Sequence, residues 1–130
     1  MYSNILDAVI DIIQPLTDLP VRRGTLPAGD GVALEMSNTT TVSTGLDRST
    51  VEELPCVLNC KSTDLVAAQD ALALFHCKLT RLAQYPKTDR WQIYAIETIS
   101  GPAVIGREAD NRWLVGSSIR VKIYNKESAF

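Results

Sequence analysis

The sequence predicts an α+β domain in which a mostly antiparallel sheet carries its helices on one face. Two stretches show helical spacing of apolar residues, at residues 4–14 and 62–85, and four further stretches show the alternating or β-branched composition of strands. The strands surround one long helix instead of alternating regularly with helices, and this arrangement favours an antiparallel sheet.

The composition indicates a single domain spanning residues 1–130. Hydrophobic residues make up 45% and charged residues 22%, with a net charge of −2, so the chain lacks the excess of basic residues that general nucleic-acid binders carry. The three cysteines and an N-terminus without a basic region predict reduced thiols in a cytosol. No apolar run is long enough to suggest a membrane span.

The longest helix is predicted from Ser62 to Tyr85, about 30 Å at 1.5 Å per residue. Ser62 or Thr63 is a candidate cap, and Pro86 is expected to stop the helix. Its apolar stripe recurs at steps of three and four residues: Leu65, Ala68, Leu72, Phe75, Leu79 and Leu82. A first helix is predicted at residues 4–14, ended by Pro15.

Between these helices, the sequence predicts a turn-rich connector with a short extended piece at Val21–Thr25, followed by a strand at residues 32–36. Residues 37–50 then hold eight Ser or Thr among fourteen positions and can contribute little to a core. We interpret this segment as a protruding β-arm that is stable only when it docks on a partner. A solvated loop without a partner is the alternative.

The remaining strands are predicted at residues 51–61, 91–99 and 117–126. Pro55 offers no ladder donor, so its strand is expected at a sheet edge or with a bulge. Gly101-Pro102 is expected to break the strand before it, and residues 103–107 can pair back with 112–115.

No residue constellation predicts catalysis, a metal or a cofactor. If residues 51–61 form a strand, Cys56 and Cys60 lie about 13 Å apart, too far to share a zinc ion with His76 and Cys77. His76 has no evident nucleophile or orienting partner, and a half-buried structural histidine is the expected role. The adjacent pair Glu52-Glu53 must point to opposite faces of a strand.

Leu74 points away from the apolar stripe of the long helix, where a one-sided surface helix would be polar. Either a second layer or another subunit is expected to cover it. The sequence therefore favours an assembly subunit over an enzyme or a DNA-binding regulator.

The order and spacing of many short segments resemble the small minor capsid proteins of long-tailed phages that act as tail terminator, or tail completion, proteins. The matching segments are Ile5–Val9, Pro15-Leu16, Leu19–Gly31, Leu54-Pro55, Leu58-Asn59, Lys61, Trp91–Ile93, Ile96–Thr98, Pro102, Ile105–Glu108 and Trp113–Val121. The match covers nearly the whole chain but departs at the arm, residues 37–50.

The resemblance implies a curved sheet, two helices and a protruding arm, in a hexameric ring that caps the head-proximal end of the tail tube. The implied partners are copies of itself, the major tail tube protein and a head completion or connector protein, in the neck of a virion made in a bacterial cytoplasm. DNA would pass through the lumen without sequence-specific contact. A head completion or adaptor subunit of the neck is the alternative.

On this basis, contacts between subunits or with the tube are expected at eight residues: Thr39, Thr40, Thr41, Val42, Arg48, Leu74, Arg107 and Arg120.

Overall fold

The computed structural model describes residues 2–37, 40–44 and 50–125 and shows an α+β fold, as predicted. The elements in chain order are α1 (Tyr2–Ile13), a 3₁₀ helix (Gln14–Leu16), β1 (Val21–Arg23), β2 (Gly31–Met36), β3 (Thr40–Thr44), β4 (Thr50–Ser62), α2 (Leu65–Leu79), β5 (Trp91–Arg107) and β6 (Trp113–Asn125).

The described strands form one sheet in the order β1-β2-β4-β6-β5, in which β1 pairs with β2 in parallel and the other neighbours pair antiparallel. Both β2 and β3 pair with β4 on the side away from β6: β2 along Cys56–Lys61 and β3 along Thr50–Glu53. Part of the predicted arm, Thr40–Thr44, is therefore an edge strand of the sheet. The predicted contact residues Thr39 and Arg48 lie outside the described residues.

Pro55 lies in the central strand β4 and not at an edge, which corrects one of the two predicted placements. The pairing of β4 with β6 runs through Pro55 without a register shift, so no bulge interrupts that side. On the other side, the pairing with β2 ends at Cys56 and the pairing with β3 begins at Glu53. The carbonyl of Pro55 accepts a bond from the Ser37 amide at this junction. In an antiparallel ladder the N and O of a residue point to the same side, so the missing N–H falls where β2 ends and β3 has not yet begun.

The core lies between the sheet and the two helices, which pack on the same face. Alternate residues of β4 and β6 point toward the helices because side chains alternate along a strand. The fully buried side chains include Ile5, Val9 and Ile13 of α1, Ala68, Leu72, Phe75 and Leu79 of α2, Leu54 and Leu58 of β4, and Ile119, Val121 and Ile123 of β6. The predicted apolar faces of both helices are confirmed up to Leu79.

Helix α2 is shorter than predicted, with 15 residues or about 22 Å of length. Asp64, and not Ser62 or Thr63, caps its start by accepting a bond from the Ala67 amide. At its end, the Thr80 hydroxyl donates to the His76 carbonyl at 2.7 Å. Because the chain turns there, Leu82 does not extend the helical stripe.

In the described ranges, neither α1 nor α2 has both the length and the apolar character that a membrane crossing needs.

Strand β5 continues through Gly101-Pro102 to Arg107, so the predicted break at this dipeptide is wrong. Because β5 is an edge strand, the missing amide of Pro102 removes no bond to a further strand. The pairing register with β6 shifts four times along β5. One of these shifts lies between Ser100 and Ala103, so the dipeptide sits in an irregular part of the strand. Residues 103–107 pair back as predicted, with partners at 113–116 instead of 112–115.

Replacing Gly31 with alanine is expected to lower the free energy of unfolding by about 1–2 kcal/mol. A Cβ at this position would lie 2.3 Å from the ring of Pro27 and 3.3 Å from the Pro20 carbonyl oxygen, so the rigid connector must shift. Chemical denaturation measures the loss. Gly101→Ala is the control, because nothing lies within 4 Å of a Cβ there; equal stability of both variants would contradict this packing.

Candidate assembly surfaces

His76 joins α2 to the sheet through both ring nitrogens. Nδ1 lies 2.8 Å from the Thr98 hydroxyl of β5, and Nε2 lies 2.7 Å from the Ser117 hydroxyl of β6. The side chain is 7% exposed, and this burial lowers the pKa of His76 below its ordinary value near 6.5. The neutral imidazole, which donates from one nitrogen and accepts at the other, matches two hydroxyl partners.

The His76–Ser117 contact has the length of a nucleophile–base pair, but its surroundings favour a structural role. Ser117 is only 5% exposed, and its hydroxyl is engaged by His76, whereas a catalytic nucleophile must be open to its substrate. The third group is the hydroxyl of Thr98, not a carboxylate that would stabilise an imidazolium. These contacts agree with the structural histidine expected from the sequence.

The free energy of unfolding is expected to fall as pH drops below about 6.5, through the titration of His76. The lowered pKa means that the unfolded chain binds a proton more readily, so the contribution is complete above the unfolded pKa and is lost as pH falls toward the folded one. Denaturation of the wild type and of His76→Gln between pH 5 and 8 tests this. Identical pH slopes would show that His76 does not titrate differently on folding.

Two of the cysteines are inert core residues. Cys56 and Cys60 are fully buried on the helix-facing side of β4, and burial raises the pKa of their thiols to about 12 and about 11, respectively. The charge of Asp30 adds to the shift at Cys60. Cys77 is exposed on α2. Among the described residues, no three His, Cys, Asp or Glu side chains are grouped to hold a metal ion.

Glu52 and Glu53 point to opposite faces of the sheet, as predicted. Glu52 is only 1% exposed, and its carboxylate accepts bonds from the Thr50 hydroxyl and the Asn125 amide, both at 3.1 Å. Sequence reasoning did not identify this buried carboxylate, because the Asn125 amide comes from β6, 73 residues further along the chain. The bond from Asn125 ties the start of β4 to the end of β6, whereas Thr50 lies two residues before Glu52 on the same strand.

The face of the sheet away from the helices is open and carries ion pairs between neighbouring strands. Arg120 of β6 pairs with Glu53 of β4 at 3.4 Å, and Lys122 pairs with Glu97 of β5. These pairs satisfy the charges within the subunit. Arg107, at the end of β5, stacks over the Trp113 ring at 4.9 Å.

Beyond these charges, the open face holds a shallow depression of about 250 Å³. Val57, Asn59 and Ile105 line it, with Gly116 at its base. Ile105 is 60% exposed, and the Oδ1 atom of Asn59 is buried without a hydrogen-bond partner among the residues that the structure describes. The depression is a feature of the surface and not an enclosed ligand cavity.

The outer face of α2 carries exposed apolar residues. Val66 is 63% exposed and Leu74 is 47% exposed, and Cys77 lies nearby. None of the described residues forms a layer over this face, so the structure leaves Leu74 as uncovered as the sequence suggested.

The predicted contact residues do not meet at one site. Leu74 lies on the outer side of the helix layer, whereas Arg120 lies on the opposite, open face of the sheet, and Arg107 lies at the end of β5. Thr40, Thr41 and Val42 belong to the edge strand β3. A subunit that uses all of them contacts several neighbours on different sides.

Comparison with known proteins shows a likeness in fold to a solved structure. No protein-family model matches the sequence, and no curated protein sequence matches it. The fold is similar to that of a chain in the solved virion of a native gene transfer agent particle, with a TM-score of 0.66 and 14% sequence identity. The similarity covers 92% of this chain and 93% of that chain. At this identity the likeness shows a shared fold.

Proposed function

We propose that this chain is a structural protein of a phage or phage-like virion, and that it acts as a tail terminator subunit. The observation that carries this proposal is the similarity to a virion chain over nearly the full length of both molecules. The similarity extends over 92% of this chain and 93% of that chain, so it involves the fold as a whole and not one shared motif.

The surfaces of the subunit support a role in assembly. The described residues leave apolar side chains exposed on α2 and at the edge strand β5, where Ile99, Val104 and Ile105 are between 44% and 60% exposed. Unpaired strand edges and exposed apolar residues are typical of surfaces that other protein chains cover.

In this proposal, copies of the chain form a ring, as a hexamer, in the neck of the particle. The ring caps the head-proximal end of the tail tube, contacts the major tail tube protein on one side and a head completion or connector protein on the other, and lets DNA pass through its lumen. The edge strand β3 and the predicted arm around it are the proposed contacts to neighbouring subunits or to the tube. The chain needs no cofactor and performs no catalysis in this role.

A head completion or adaptor subunit of the neck is the alternative, because the same fold similarity fits another ring of the neck. Deleting the gene from the genome that encodes it, followed by electron microscopy of the particles, separates the two roles. Without a terminator, tube polymerisation is not stopped and tails are abnormally long. Without an adaptor, tails have normal length but remain unattached. Normal, attached and infectious particles would contradict both.

A further inference from the structure

The outer face of α2 places one apolar residue between two opposite charges. Asp70, Leu74 and Lys78 follow one another at intervals of four residues and form a single ridge. All three are exposed. The two charges are about 12 Å apart along the helix axis and cannot pair with each other. Neither of them forms a salt bridge with another described residue.

We propose that two copies of this chain pair through this ridge, with their α2 helices antiparallel and a two-fold axis passing beside Leu74. In such a contact, positions equally far from Leu74 on either side face each other. Asp70 of each copy then meets Lys78 of the other, and the two Leu74 side chains meet at the axis. Both charges gain a partner, and the exposed leucine is covered.

The residues around the ridge fit a close helix–helix contact. Ala67, Ala71 and Ala73 have small side chains, so two helices can approach to the usual interaxial distance of about 8–10 Å. The charge order also selects the direction, because a parallel pairing in register would place Asp70 against Asp70 and Lys78 against Lys78.

A two-fold contact differs from the contacts that build a ring, which repeat head to tail around an axis. The pairing therefore describes a separate dimeric state of the chain, and it does not depend on the proposed role in the neck.

Charge reversal tests the pairing by sedimentation equilibrium. Asp70→Lys and Lys78→Asp should each raise the dissociation constant of the dimer about tenfold or more, since each reversal turns two attractive pairs into repulsive ones. The double variant should dimerise like the wild type. An equimolar mixture of the two single variants should also dimerise, because every Asp–Lys contact is restored between unlike subunits. Asp11→Lys, an exposed reversal on α1, is the matched control and should change nothing.

Cross-linking tests the position of the axis. Leu74→Cys, made together with Cys77→Ser, should form a covalent dimer on mild oxidation. The native Cys77 residues should not, because they would lie about 9 Å apart along the axis, beyond disulfide geometry. A wild type that stays monomeric at high concentration, a mixture of the reversed variants that fails to dimerise, or a Leu74→Cys variant that does not cross-link would overturn the proposal and leave the ridge to a different partner.

Discussion

Replacing Phe75 with alanine is expected to lower the free energy of unfolding by about 3–5 kcal/mol. Phe75 of α2 packs in the core and is the largest of the fully buried side chains that the structure describes. The truncation removes the apolar contacts of the ring and leaves a cavity that the surrounding strands cannot close. Chemical denaturation with a constant slope measures the loss directly.

Leu74→Ala is the matched control for this prediction, because it truncates the residue that directly precedes Phe75 in the same helix. Leu74 is 47% exposed in the monomer, so its loss should cost well under 1 kcal/mol at concentrations that keep the chain monomeric. A Phe75→Ala variant that loses no more stability than Leu74→Ala would mean that the helix is not packed on the sheet in the way described.

Replacing His76 with leucine is expected to lower the free energy of unfolding by about 2–4 kcal/mol. Leucine fills much of the space but offers no bond to Ser117, whose hydroxyl is buried and would lose its partner at 2.7 Å. Thr98 also loses a bond, but it is exposed and can bond to water instead. Most of the cost therefore comes from Ser117.

Adding Ser117→Ala to His76→Leu separates this cause from a loss of packing. Removing both partners leaves no unsatisfied hydroxyl, so the double variant should be more stable than His76→Leu alone. A double variant whose losses simply add would show that the His76–Ser117 bond does not contribute as described.

The sequence predicted the elements of this fold where the local pattern and the packing agree. The apolar spacing of α1 and the alternation of Ile119, Val121 and Ile123 in β6 were sufficient, because each pattern reports directly which face is buried. Leu74 was also recognised as an exposed apolar residue from helical spacing alone.

The errors came from features that depend on neighbouring strands and not on the segment itself. Pro55 is tolerated in the central strand because the partner changes from β2 to β3 beside it, and Pro102 is tolerated because β5 is at an edge. The end of α2 at Leu79 depends on a bond from the Tyr85 hydroxyl to the Leu79 carbonyl at 2.9 Å, together with the Thr80 cap. None of these contacts can be predicted from the spacing of apolar residues along the sequence.

The candidate surfaces were predicted less completely than the fold. Helical spacing identified Leu74, but the internal partners of Arg107 and Arg120 depend on strand register and were not foreseen. The same is true of the bond from Asn125 to the buried carboxylate Glu52. It is also true of the two hydroxyls around His76, which come from strands 22 and 41 residues further along the chain.

In the proposed role, this chain is a structural part of a virion and works through the surfaces it presents to other protein chains. Quantitative mass spectrometry of purified, DNA-filled particles is the decisive measurement. We expect the chain to be retained at a fixed copy number per particle, as a single ring requires, and to stay with the tail or neck fraction when particles are dissociated. Mature particles from which the chain is absent, or in which its amount varies from one preparation to the next, would contradict it.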